Sequence, residues 1–330
     1  MAGGDKEMTI DQFTRQAQGY ARSTTIRNDD VLKRFVALAK LSANDTTLDV
    51  ACGPGLVVCA FAPHVRHATG IDITPAMLEQ ARQLQAEKGL RNVSWIEGDV
   101  SRLPFADGEF SVVTSRYAFH HFADPRAVLR EMIRVMKPGG AIVIADSAPA
   151  ATKAEAFNRM EKLRDPSHGR ALSIEKWEQL LAEAGLTLSH FEQFRLAGDL
   201  DSLLARSFPA DGGEARVRQM FEAALEEDFL DVQPRRESGG IVYGFPIVIF
   251  KARRPPAKTQ GYETACHSSS EGSTPRTSLP MLPKSNAVCI FPIDVPVRTV
   301  KGVPRQNFAG RFSLEPGASG IGGYQPFRVG

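Results

Sequence analysis

Between residues 47 and 146 the apolar and polar positions of this chain switch repeatedly between two rhythms. Short β-branched or apolar runs at 47–51, 66–72, 93–98, 110–115 and 140–146 read as strands. The stretches 55–62, 75–88 and 125–136 carry apolar residues at the spacing of one helix face. Pro75 suits the first turn of its helix, where a missing N–H costs nothing. Lys137-Pro138-Gly139-Gly140 reads as a helix stop followed by a turn. Strands and helices in this alternation predict a parallel sheet covered on both faces. Ahead of it, residues 9–40 read as a helical lead-in, with Val31, Leu32, Phe35, Val36 and Leu38 near helical spacing. Beyond Asp146 the order changes: helices at 151–164 and 174–184, a strand at 186–195, helices at 200–207 and 214–228, and a closing strand from Gly240 to Lys251.

Residues 255–330 lack either rhythm and hold ten of the 21 prolines, nine glycines and eight serines. Such a segment buries too little apolar area to offset the entropy of ordering it, and a disordered tail is expected. The expected organisation is a helical cap at 1–45, an α/β domain at 46–253 with a lid-like helical insertion at about 150–185, and the tail at 254–330. The tail also explains the charge. Residues 255–330 contribute a net +4 to a chain of net +2, so residues 1–254 stand at −2. A slightly acidic body without a basic stripe favours a small-molecule partner over nucleic acid. No apolar run approaches the eighteen or so residues of a membrane span. The opening MAGGDKEMTIDQF lacks the apolar stretch of a secretory signal. Cys52, Cys59, Cys266 and Cys289 show no metal-ligand spacing. Reduced thiols in a cytoplasmic protein, with no metal, are the expectation.

The candidate chemistry starts at Thr47-Leu48-Asp49-Val50-Ala51-Cys52-Gly53-Pro54-Gly55, a strand running into a tight glycine turn and then a helix. Glycines there let backbone N–H groups approach a ligand that a Cβ would block. Asp72 ends the second strand, where a carboxylate can accept from both hydroxyls of a ribose. A nucleoside cofactor is implied. A dinucleotide is not, because the third glycine of its fingerprint is replaced by Val58.

Asp49-x-x-Cys52-Gly53-x-Gly55 resembles motif I of the class I S-adenosylmethionine-dependent methyltransferases, with Ala51 where the first glycine usually stands. The resemblance continues through Gly98-Asp99-Val100 with Leu103-Pro104-Phe105, through Phe110 to Phe122, and through Arg130 to Gly140. The chain is most similar to the ubiquinone/menaquinone-biosynthesis-like branch, often called type 11. One departure is Ser111, where the family often carries Asp. The resemblance implies a Rossmann-like, doubly wound, mostly parallel seven-stranded sheet, and S-adenosylmethionine as cofactor. It implies that Asp49 and the backbone of Ala51, Gly53 and Gly55 hold the amino-acid end, with Ser115 facing the methionine portion. It puts Asp72 on the ribose, Ile73, Met77, Asp99 and Val100 around the adenine, and Tyr20 across the site from the N-terminal side. His120 and His121 follow the fourth strand and Asp146 ends the fifth. They resemble the imidazole base and assisting carboxylate of small-molecule O-methyltransferases in the group. An imidazole suits that task near neutral pH. Arg164-Asp165-Pro166-Ser167-His168 in the insertion, with Arg116 and Tyr117, are candidates to shape the pocket. The expected activity is methyl transfer to a small molecule, at oxygen ahead of carbon. A cofactor-binding paralogue without catalysis, acting as partner or sensor, is the alternative from another class.

Overall fold

The computed structural model describes residues 3–254 except 24–26, 28 and 238, so the expectations for 255–330, including Cys266 and Cys289, lie outside the described residues. In chain order the elements are α1 (Gly3–Arg22), α2 (Asp29–Ala39), β1 (Thr46–Val50), α3 (Leu56–Phe61), β2 (His67–Asp72), α4 (Pro75–Glu87), β3 (Val93–Glu97), β4 (Phe110–Arg116) and α5 (Pro125–Val135). There follow β5 (Met136–Ser147), α6 (Ala154–Arg164), α7 (Ile174–Glu183), β6 (Thr187–Asp199), α8 (Leu200–Ala205), α9 (Gly213–Ala224), β7 (Arg235–Glu237) and β8 (Gly240–Arg253).

The sheet runs β3-β2-β1-β4-β5-β8-β6, with β7 paired to β8. The pairs among β1 to β5 are parallel, and those that β8 makes with β5, β6 and β7 are antiparallel. This is the doubly wound sheet expected, enlarged to eight strands by the short β7–β8 hairpin. Three residues, Arg235 to Glu237, are too few for a period-two pattern to stand out. A second difference lies at Lys137 to Gly140: β5 begins directly after α5 and is irregular where it pairs with β4. Gly139 carries a φ of 78° there, so the residues of the expected turn form a kink inside the strand. The helical lead-in consists of two helices, α1 and α2.

Strand alternation divides the core into two layers. Val113, Ile142, Ile144, Val248 and Phe250 face Leu129 and Met132 of α5 and Trp177 of α7. Their neighbours Val112, Val143, Ala145, Ile247 and Ile249 face Phe35 of α2 and Val57 and Phe61 of α3. A third cluster joins the insertion to the last elements through Phe157, Met160, Leu203, Phe221 and Tyr243. Helix starts follow local chemistry. Asp124 caps α5 by accepting from the Ala127 N–H at 3.0 Å, and Pro75 and Pro125 occupy first turns. Strand order reverses between β2-β1 and β4-β5, and that crevice, at the carboxyl ends of the strands, is where open α/β sheets bind ligands.

Candidate active site

The glycine turn after β1 lies at that crevice. Gly53 donates its N–H to Asp72 Oδ2 at 2.8 Å, and Thr74 donates to Oδ1 at 2.9 Å. A Cβ added at Gly53 would meet nothing within 4 Å, so the missing side chain leaves an open cradle. Gly55 differs: its φ is 77°, and a Cβ there would lie 2.4 Å from Trp95 Cη2 and 2.9 Å from Ala81 Cβ. Ala51 holds a φ of 56°, a left-handed conformation that explains why glycine suits this position.

These residues open on a cavity of about 940 Å³ of empty space, lined by Asp49, Ala51, Gly53, Asp72, Ile73, Met77, Asp99 and Val100, with Lys6, Thr9, Phe13 and Tyr20 from α1. Asp49 is buried and accepts from Thr114 Oγ1 at 2.7 Å. Burial raises its pKa to about 7 against that bond and the Arg116 charge. Asp72 is also raised by burial, opposed by its backbone donors. On Asp99 burial pushes upward, but Lys6 and Ser101 outweigh it and hold the carboxyl below its usual range. Lys6 ion-pairs with Asp99, and Ser101 donates to it from backbone (2.9 Å) and hydroxyl (2.7 Å).

Ser115 and Gly55 do not line this cavity. The Ser115 hydroxyl donates to the Val50 carbonyl at 2.9 Å, tying β4 to β1 from within the sheet.

A second cavity of about 620 Å³ adjoins the first and shares Phe13, Tyr20, Tyr117 and His121 with it. The two adjacent histidines separate here. His120 is buried, with Nδ1 2.5 Å from Asp146 Oδ1. Burial alone would lower its pKa, but the Asp146 charge and hydrogen bond outweigh it and raise the pKa. Asp146 also accepts from the Phe119 N–H at 2.7 Å and the Ser147 N–H at 2.6 Å, and so fixes the turn after β4. His121 packs edge-on against Phe13, with ring centroids 4.9 Å apart. Its Nδ1 lies 3.2 Å from both the carbonyl and hydroxyl oxygens of Ser167. A carbonyl only accepts, so Nδ1 carries the proton and Nε2 is left as the basic nitrogen. Burial, then the neighbouring His120 charge, lowers the His121 pKa to about 4.

The segment 164–168 clamps this turn from the insertion. Gly169 and Arg170 donate backbone N–H groups to the His120 carbonyl at 2.8 and 2.9 Å. Gln16 of α1 donates to Asp165 at 3.0 Å, and Ser167 Oγ donates to Asp165 at 2.6 Å.

A model described as a methyltransferase domain matches residues 48–144. An uncharacterized methyltransferase of Bacillus subtilis, YcgJ, is 34% identical over 217 residues, which are 65% of this chain and 86% of that protein. Its crystal structure superposes with a TM-score of 0.64 over 69% of this chain and 99% of its own, at 28% identity. A putative methyltransferase from Bacillus halodurans gives the same TM-score at 30% identity, over 68% of this chain and 99% of that one. A demethylmenaquinone methyltransferase of Listeria monocytogenes is 34% identical over 119 residues, 35% of this chain and half of that protein. The chain belongs to the class I S-adenosylmethionine-dependent methyltransferases, in the type 11 branch.

The methyltransferase cavity fits the family's cofactor by its own chemistry. The Gly53 cradle is open, Asp72 stands at the sheet's switch point, and Ile73, Met77 and Val100 give an apolar slot beside Asp99. Sequence reasoning missed Lys6, Thr9 and Phe13 of α1, although Phe13, Ala17 and Tyr20 recur at helical spacing. It also missed Gln16, whose partner is 149 positions away. Among the described residues no group of His, Cys, Asp or Glu could hold a metal ion, and no helix is long and apolar enough to cross a membrane.

Proposed function

We propose that this methyltransferase binds S-adenosylmethionine in the first cavity and transfers its methyl group to a hydroxyl of a small molecule held in the second. The observation that carries the reading is the wall shared by the two cavities, in which His121 stands. When bound, the cofactor supplies an electrophilic methyl group on a sulfonium. Asp49 is suited to its ammonium, the Gly53 backbone to its amino-acid end, and Asp72 to its ribose. Asp99, Ile73, Met77 and Val100 are suited to its adenine, and Tyr20 and Phe13 to excluding water.

His121 is the proposed base. Its lowered pKa keeps it neutral at pH 7 while weakening it as a base, and its Nδ1 bond to Ser167 leaves Nε2 free to take the acceptor's proton. His120 and Asp146 form a buried pair that positions the turn, so their proposed contribution is orientation. Carbon methylation is the next reading, for an acceptor whose own ring supplies the nucleophile.

Calorimetry with S-adenosylhomocysteine tests the binding step, and micromolar-range affinity is expected. Incubating cell extract with the protein and isotopically labelled S-adenosylmethionine, followed by untargeted metabolite analysis, tests transfer. Folded protein that binds neither adenosyl compound refutes the proposal. Binding without any labelled product across a broad metabolite panel supports the non-catalytic paralogue instead.

A further inference from the structure

The second cavity contains two buried phenols that the proposed chemistry does not use. The hydroxyls of Tyr117 and Tyr243 meet no protein group at strict hydrogen-bond geometry, although that of Tyr243 lies close enough to the Arg206 guanidinium to interact with it. Tyr117 is 9% exposed and Tyr243 1%. A buried hydroxyl left without a partner carries a desolvation cost, and a native site that keeps two of them invites a ligand to complete them. Their backbone settings support this. Tyr117 leaves β4 with a φ of 57°, a left-handed conformation uncommon for a bulky residue, while its N–H donates to the Ala145 carbonyl at 2.7 Å. That geometry keeps its ring in the wall between the cavities. Tyr243 lines the second cavity only, and packs over Gly198 of the paired strand β6, where any Cβ would lie 2.6 Å from its hydroxyl.

The cavity's formal charges balance. Arg164 makes two hydrogen bonds to Glu161, at 2.9 and 2.8 Å, and lies 4.0 Å from Asp165. His120 is closed by Asp146, and Arg206 donates to the Ser202 carbonyl at 3.0 Å. Counted over the lining, two guanidinium groups stand against two carboxylates, so the cavity has no net positive charge to favour an anionic ligand. The rings of Phe13, Tyr20 and Phe245 give flat apolar walls.

We propose that the second cavity takes a neutral, planar acceptor bearing at least two hydrogen-bonding oxygens, anchored by the hydroxyls of Tyr117 and Tyr243. This rests on the reading of the first cavity as the cofactor site. Burial holds Tyr117 protonated, with a pKa pushed up to about 12 against the Arg116 charge, so it meets the acceptor as a neutral donor.

The test uses the full chain saturated with S-adenosylhomocysteine and three probes: 4-methylcatechol, 3,4-dihydroxybenzoate and cyclohexane-1,2-diol. The catechol is expected to bind, and the benzoate and the non-planar diol to bind at least 10-fold more weakly. Tyr117→Phe and Tyr243→Phe are each expected to weaken the catechol roughly 3–10-fold, the range of one lost hydrogen bond. Both variants are also expected to melt at or above the wild-type temperature, because each removes an unpartnered buried hydroxyl. A merely structural tyrosine would not combine these two results. The inference is overturned by a catechol affinity unchanged in both variants, by lowered melting in both, by tighter binding of the benzoate, or by no catechol binding while S-adenosylhomocysteine binds. Failure of S-adenosylhomocysteine itself to bind would overturn the cofactor reading, and this inference with it.

Discussion

The two glycines of the turn after β1 look alike in sequence, yet substituting each by alanine should produce opposite failures. At Gly55, alanine must hold a φ of 77°, which costs about 1–2 kcal/mol outside glycine. Its Cβ must also find room where Trp95 Cη2 is 2.4 Å away and Ala81 Cβ 2.9 Å away. Trp95 cannot yield easily, because its indole N–H donates to Gln85 at 2.7 Å and its ring also covers Gly70, at 2.7 Å from the Cβ position there. Overpacking of this kind adds about 1–3 kcal/mol. The sum, about 2–5 kcal/mol, corresponds to a melting temperature lower by on the order of 10 °C for a unit of this size. At Gly53, with φ 52° and nothing within 4 Å of the Cβ position, the backbone strain is partly offset by a less flexible unfolded chain. Stability should fall by no more than about 1 kcal/mol, whereas the new methyl group projects into the cradle and should weaken S-adenosylhomocysteine at least tenfold. Urea titrations with and without S-adenosylhomocysteine, together with calorimetry, measure both quantities. Wild-type affinity in Gly53→Ala, or wild-type stability in Gly55→Ala, would refute the division of roles.

Asp49, raised to about 7 by burial, keeps its proton in the folded state over a range where the unfolded chain has released it. Its contribution to the stability of the cofactor-free protein should therefore fall as pH rises from about 4 to about 7, by up to about 1.4 kcal/mol per pH unit, while His121, lowered to about 4, contributes in the opposite sense. In urea titrations Asp49→Asn should gain stability relative to the wild type as pH rises through this range. Replacing His121 by Ala should leave S-adenosylhomocysteine binding intact and slow transfer to a hydroxyl roughly 10²–10⁴-fold. Near-normal turnover in the His120→Ala, His121→Ala and double variants would dismiss imidazole catalysis and favour a carbon acceptor. His120→Ala should also lower stability, by on the order of 3 kcal/mol, since Asp146 loses its buried partner. Ala51→Gly should relieve the left-handed strain at φ 56° and, after the entropy cost of glycine, stabilise by roughly 0.5 kcal/mol in urea titration, with cofactor binding retained.

The parallel core of the sheet was legible because its cause is local. A strand buried on both faces must be apolar throughout, a glycine turn must follow it, and a carboxylate at a strand's end must lie at the crevice. Asp49, Asp72 and Asp99 accordingly line one cavity, as the order of their strands implies. What the sequence could not separate were neighbours with the same local signal. His120 and His121 are adjacent, but their environments come from Asp146, 26 residues from His120, and Ser167, 46 residues from His121. Gly53 and Gly55 share one turn, but only the side chains of β3 and α4 make Gly55 a packing position. Ser115 lies on a strand that reaches the site, and the β1 backbone draws its hydroxyl back into the sheet. By itself the sequence determined the layered fold, the crevice at the sheet's switch point and the carboxylates at its rim, since each follows from the period of a strand or helix and the chemistry of a turn. Only the tertiary structure decided which imidazole stands in the wall between the two cavities, how α1 lines them and which phenols lack a protein partner at strict geometry, because those depend on contacts between residues that no local pattern relates.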